Sequence, residues 1–386
     1  MSSINPFKPG QPIDPQFFGG RRQEQQLFNE YLRYTASGNP HHIAIMGERG
    51  IGKSSLLRKY GEMAGESGCI VVRRELDTTV NSIQALVVFM LQALRTDGSS
   101  NLPKKMKAKH KVESFFSSYK LGASIFGTGM TIERIQSSVI PQDAFCRDLM
   151  QIWNGIKNDV SAVVFLLDEA EHLQEIKGAW GFLRSVFTRV SEQGGRYMLV
   201  VSGKLGLFKG IKEIFSPMER FFTPLEVKPM MLEEIKEVLE KPLAPLSRRI
   251  DGESVRRIAQ LSAGNPYVVQ TFGFYLFEEG TASIERKTIE KVLPRVMTRL
   301  SSQLFRDRFE ETSELERRVL LTMSTMPSST SPKELTKESR MSPKVLPQLL
   351  RRLVDKGCVR KVERGRYSLF NPLFGDYVKI RMEERR

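Results

Sequence analysis

Three cysteines and four histidines are all that 386 residues supply of the usual structural-zinc ligands. Cys69, Cys146 and Cys358 are odd in number, far apart and without a CxxC spacing. That argues against a disulfide framework or a structural zinc site and points to a reducing, cytoplasmic compartment. Long apolar runs are missing as well: Ala85–Leu91 and Ala162–Leu167 are the longest, and a bilayer needs about 20 consecutive apolar residues. The opening MSSINPFKPGQPIDP has no charged-then-apolar leader pattern, so a soluble protein without a membrane association is expected. Acid is in deficit. The 59 Lys and Arg exceed the 44 Asp and Glu by 15, a surplus that suits a polyanionic partner and also favours solubility.

What is present is an alternation. After a Pro- and Gly-rich arm (1–16), leucine spacing predicts a helix over 23–36. Short apolar strands follow at His42–Met46, Cys69–Arg73, Ala162–Leu167, Tyr197–Ser202 and Phe221–Val227, separated by helical stretches. The expected fold class is α/β, a mainly parallel sheet with helices on both faces spanning 17–230. Residues 96–140, which carry Lys104, Lys105, Lys107, Lys109 and Lys111, read as an insertion. An all-α segment (231–300) with breaks at Pro242, Pro245 and Gly264-Asn265-Pro266 comes next, and then a basic unit (301–386).

Two motifs carry chemistry. Gly47-Glu48-Arg49-Gly50-Ile51-Gly52-Lys53-Ser54 reads GxxxxGKS, directly after an apolar strand and before a helix. Such a loop turns its N–H groups, together with that of Ser55 at the helix start, toward nucleotide phosphates. Lys53 would contact the β and γ phosphates, and the Ser54 hydroxyl would hold Mg²⁺. Downstream, the apolar run Val163–Leu167 ends abruptly in Asp168 and Glu169, and ligands in open α/β sheets bind at the carboxyl ends of strands. Asp168 would hold the metal through its water shell, and Glu169 would orient or deprotonate the attacking water. ATP and Mg²⁺ are the implied cofactors, and Mg-dependent ATP hydrolysis, slow without a partner, the implied activity.

With these motifs in place, residues 17–232 resemble the AAA+ superfamily, in particular its initiator-like and STAND ATPases. The hhGRxxE phrase of that family is matched by Phe18-Gly19-Gly20-Arg21-Arg22-Gln23-Glu24, with Gly19 in place of the second apolar residue. The resemblance implies that Arg21 lies near the adenine and that Ser202 senses the γ-phosphate or the water. It offers Arg220 as an arginine finger, with an ion pair to Glu219 as the alternative. In the lid segment, Gly264-Asn265-Pro266 resembles the GxP signature of STAND proteins, whose proline region contacts nucleotide. Conventional second-sensor arginine chemistry is thereby put in doubt, and a nucleotide-controlled switch is favoured.

The C-terminal stretch resembles a winged-helix domain, with helices expected from about Ser313 to Met323, from Pro332 to Glu338 and from Ser342-Pro343 onward. Pro347 would then fall inside the third helix and bend it. Leu346, Leu349, Leu350 and Leu353 would face inward, with Lys344, Gln348, Arg351 and Arg352 on the outer face and Arg364 and Arg366 on a wing. Between Pro332 and Arg386 there are 15 Lys and Arg against 7 Asp and Glu, the local charge concentration that DNA binding requires. Double-stranded DNA is the expected partner, with engagement set by nucleotide state. The alternative is a signalling or defence switch whose winged helix binds protein. A homo-oligomer fits either.

Overall fold

The computed structural model describes residues 4–100, 113–114, 141–208 and 215–384. The lysine cluster from Lys104 to Lys111, and most of the expected insertion, lie outside the described residues. Chain contacts divide the protein into two compact units, Arg21–Val227 and Met1–Gly20 with Lys228–Arg386.

The first unit alternates helices and strands: α1 (Arg22–Ala36), β1 (His42–Met46), α2 (Lys53–Glu66), β2 (Ile70–Glu75), α3 (Ile83–Ser100), α4 (Pro141–Ile156), β3 (Val163–Asp168), α5 (Ala179–Glu192), β4 (Tyr197–Gly203), α6 (Phe215–Phe221) and β5 (Phe222–Glu226). The sheet order is β2-β3-β4-β1-β5, and every pairing is parallel. β3 and β4 are buried almost throughout, as a parallel sheet covered on both faces demands, which is why their sequences are continuous apolar runs rather than alternations. β5 is the edge. It alone contains a proline, Pro224, which cannot donate to a ladder. The α/β class and the position of every expected strand are borne out, with ends differing by one or two residues.

The second unit contains α7 (Leu232–Leu243), α8 (Gly252–Ser262), α9 (Pro266–Glu278) and α10 (Arg286–Leu300), with β6 (Arg249–Ile250) and β7 (Ser283–Ile284) forming a short parallel pair among them. This pair was not expected in a segment read as all-α. A π-turn (Ser301–Phe305) leads into α11 (Arg306–Glu310), α12 (Glu314–Thr325), α13 (Pro332–Ser339), α14 (Leu346–Asp355), the hairpin β8 (Val359–Glu363) and β9 (Arg366–Leu369), and α15 (Pro372–Glu383). A single apolar core runs from Ile235 through Leu300 and Phe305 to Val378.

The opening segment, read from sequence as an arm, is seated in this unit. Phe7 is 1% exposed and packs on Gly273, where a Cβ would meet its ring. Asn5 donates to the Phe274 carbonyl and to Glu278, and Arg299 donates to the Pro9 carbonyl. Phe7→Ala should therefore destabilise the protein by about 3–5 kcal/mol, read as a lowered denaturant midpoint; an unchanged midpoint would show that the segment is not part of the core.

Two further differences from expectation have clear causes. α14 begins at Leu346, not near Ser342, with Pro347 in its first turn, where a missing N–H has no partner to lose. The proline thus starts the helix and does not bend it, and Lys344 lies in the preceding turn. The final helix α15 was not anticipated, although Asn371-Pro372 is a cap followed by a first-turn proline. Asn371, fully buried, accepts from Leu373 N and donates to the Leu261 and Ser262 carbonyls at the end of α8.

Candidate nucleotide site and basic C-terminal surface

The sheet order places β1 between β4 and β5, with β3 one strand further out. β1, β3 and β4 run parallel, so the residues that follow them emerge at one edge of the sheet. The loop Gly47–Gly52 leaves β1 and enters α2. Gly52 is its left-handed pivot (φ +97°), giving the backbone a turn that a side chain would strain. Gly47 N donates to the Gly203 carbonyl at 3.3 Å, joining the start of the loop to the end of β4. Lys53 turns back over the loop, its Nζ donating to the carbonyls of Gly47 (3.1 Å) and Glu48 (3.2 Å). Those carbonyls occupy donors that a phosphate would take. Burial lowers the Lys53 pKa, and the charges of Glu169, Asp168 and Glu171 oppose that shift, so the ammonium sits within reach of all three acids' fields. Glu48 and Arg49 project from the loop, Arg49 into solvent, while Ile51 is buried beneath it.

Asp168 ends β3. Its Oδ1 accepts from the Ser202 hydroxyl and, at 3.0 Å, from Glu169 N. The register that pairs Leu167 with Val201 puts Asp168 beside Ser202, and Ser202 is wholly buried. Glu169 adopts φ +53°, a left-handed conformation costing an L residue about 1–2 kcal/mol, and such strain concentrates at functional sites. Its pKa is raised by burial and by the negative charges of Glu171 and Asp168, with Lys53 pulling the other way. Asp168 and Ser54 offer one carboxylate and one hydroxyl. That hard oxygen set suits Mg²⁺, which takes few protein ligands and completes its shell with water and phosphate.

Arg21, 4% exposed and also left-handed (φ +58°), donates to the Ile51 carbonyl at 3.3 Å and faces Glu24 at 3.6 Å. It braces the phosphate loop from the start of α1. The glycine that departs from the family phrase has a packing reason: a Cβ on Gly19 would meet the α7 backbone at Val238 N, 3.0 Å away. Arg220 is exposed in the last turn of α6. Pro266 is the first residue of α9, in the other unit, where Asn265 caps the helix through Tyr267 N and Val268 N. Sequence reading did not single out Glu171 and Lys204, which with Glu169 and His172 line a cavity of about 400 Å³.

In the C-terminal region Gln348, Arg351 and Arg352 are exposed on α14, opposite buried Leu346, Leu349, Leu350 and Leu353. Lys344 and Arg364 are exposed in turns. Arg366 differs: it donates to the Ser329 hydroxyl and carbonyl, fastening the hairpin next to the Thr330–Tyr367 bridge.

This assembly of a phosphate loop and an acid-ended strand on a five-stranded parallel sheet has a P-loop NTPase-like fold. Residues 18–201 match the family described as the AAA ATPase domain, and residues 302–378 match a domain of unknown function, DUF8462. The chain is similar to an uncharacterised HTH-type transcriptional regulator, MJ0774 of Methanocaldococcus jannaschii. The two are 21% identical over 379 residues, covering 94% of this chain and 88% of the relative. Among solved structures, the Walker-type ATPase paby2304 of Pyrococcus abyssi superposes with a TM-score of 0.59 at 14% identity, covering 93% of this chain and 95% of that one. The ORC2 protein of Aeropyrum pernix, in ADPNP–ADP complexes, gives 0.57 at 14% identity, covering 94% of this chain and 95% of its own. Among the described residues no helix is long and apolar enough to cross a membrane.

Proposed function

We propose that the protein is a Mg-dependent ATPase that binds duplex DNA through its basic C-terminal region, with DNA engagement governed by nucleotide state. The observation that carries the reading is the convergence of Lys53, Asp168, Glu169 and Ser202 at one edge of the sheet. In it, Lys53 exchanges its loop carbonyls for the β and γ phosphates, with the N–H groups from Gly47 to Ser55 around them. Ser54 and Asp168 would hold Mg²⁺, which would supply positive charge to offset that of the phosphates. Glu169 orients and deprotonates the attacking water, and Ser202, held by Asp168, lies beside it. Arg21 fixes the loop near the adenine. Arg220 serves as a finger for a neighbouring site. Cytoplasmic localisation accompanies this reading.

Two observations favour DNA. Lys344, Gln348, Arg351, Arg352 and Arg364 are all exposed, and helix α14 with the β8–β9 hairpin makes a helix-and-wing arrangement that suits a major groove. The relative in M. jannaschii is named as an HTH-type regulator. Nucleotide control is supported by the continuous core of the second unit and by the Asn371 bonds to α8, which join the Pro266 region to the basic surface within one body.

The test is ATP turnover by the wild type and by Lys53→Ala, each with and without duplex DNA, alongside DNA retention in ATP and in ADP. Turnover abolished by Lys53→Ala and retention that differs between ATP and ADP are expected. Duplex that neither alters turnover nor is retained would remove the DNA part of the proposal and leave the C-terminal region as a protein-binding module.

A further inference from the structure

Two residues beyond Glu169 stands a carboxylate that the nucleotide chemistry leaves unexplained. Glu171 lies on the 3-10 turn Ala170–Gln174, whose cap is Glu169 itself. Both of its carboxylate oxygens are buried, and they lie beside the carboxyl of Glu169, whose pKa is raised by the Glu171 charge and by a side-chain hydrogen bond between the two. An ammonium faces it as well: Lys204 Nζ is 3.4 Å from Glu171 Oε1. The backbone between Ser202 and Lys204 is shaped to allow this approach, because a Cβ on Gly203 would fall 2.9 Å from Glu171 Oε2.

Stability alone is a poor reason for this arrangement. Burying a carboxylate next to a second acid costs about 1–3 kcal/mol or more. The Lys204 side chain is 74% exposed, so solvent screens the attraction that would offset that cost. An uncharged side chain of similar size would serve the turn at least as well. What the pair does achieve is connection. Glu171 follows Glu169 by two residues, and Lys204 follows Ser202 by two, so the ion pair ties the backbone bearing the water-directing carboxylate to the backbone bearing the buried hydroxyl.

We propose that Glu171 and Lys204 form a latch that positions Glu169, fixing the turn after β3 against the end of β4 so that the Glu169 carboxylate is held where the attacking water must sit. The inference rests on the hydrolytic reading of the site. Neither latch residue needs to touch nucleotide; both are positioning residues, and their loss should reach the reaction through the geometry of Glu169.

The experiment is steady-state ATP turnover by the full chain as wild type, Glu171→Gln, Lys204→Met, the double variant and Lys204→Arg, with nucleotide affinity from titration of a fluorescent ATP analogue and Tm from thermal unfolding. Each single substitution should lower kcat about tenfold, since small displacements of a reacting group carry large rate penalties, while affinity and Tm stay near the wild type. The double variant should be no slower than either single one, because both remove the same contact, and Lys204→Arg should retain most of kcat. Losses that multiply in the double variant, or a fall in affinity or Tm with kcat preserved, would overturn the latch. A wild type that binds nucleotide without turning it over would overturn the hydrolytic reading and the latch together, and the wild-type measurement alone distinguishes that case.

Discussion

Glu169→Gln is expected to leave ATP binding intact while lowering turnover by about 10²- to 10⁴-fold, the usual contribution of a positioned general base. The reasoning is geometric first. Glu169 is held in a left-handed conformation at the end of β3, directly after the carboxylate that bonds Ser202. The amide keeps the shape and the hydrogen-bonding reach of the carboxylate but cannot accept the proton of water. Lys53, Ser54 and the loop amides, which would hold the nucleotide, are untouched. Equilibrium titration with a fluorescent nucleotide and steady-state phosphate release separate the two effects. Turnover close to the wild type would mean that water is activated by another group, and the role assigned to the acid-ended strand would have to be abandoned.

The second large effect is expected on the C-terminal surface. Arg351 and Arg352 are exposed on the face of α14 opposite its buried leucines, so replacing both with alanine removes charge without opening the core. Each phosphate contact contributes about 0.9 to the slope of log affinity against log salt. The double variant should therefore lose about 1.8 from that slope and roughly tenfold in duplex affinity per lost contact at ~0.1 M salt. Arg366→Ala should behave differently. Its guanidinium is engaged with Ser329, so the expected loss is of hairpin stability more than of salt slope. A slope unchanged by the Arg351 and Arg352 substitutions would point to a protein partner for this surface.

The first unit was legible because its signals are local. An apolar run, a glycine loop and a lysine-serine pair occupy consecutive positions, and the run Val163–Leu167 reports its double burial in its own composition. The same holds for the capped helices: Ser313 and Ser331 each lie three residues before a glutamate, and both form capping boxes. Misreadings arose where one residue type has two structural uses. Pro347 breaks a helix that is already under way and begins one that is not, and only the observed start at Leu346 decides between them. Phe7 follows proline and asparagine in a stretch with the composition of a loose arm, and what makes it core is Gly273, more than 250 residues away.

By itself, then, the sequence determined the parallel α/β fold, the order of its strands along the chain, the phosphate loop and the acidic strand end, because each is written in short-range pattern. Tertiary structure decided the rest. It set the strand order across the sheet, which brings Asp168 beside Ser202. It seated the opening segment in the second unit, and it closed Glu171 on Lys204 across 33 positions. Those choices depend on which surfaces meet when apolar faces are buried, and no periodicity within a single element records its partner.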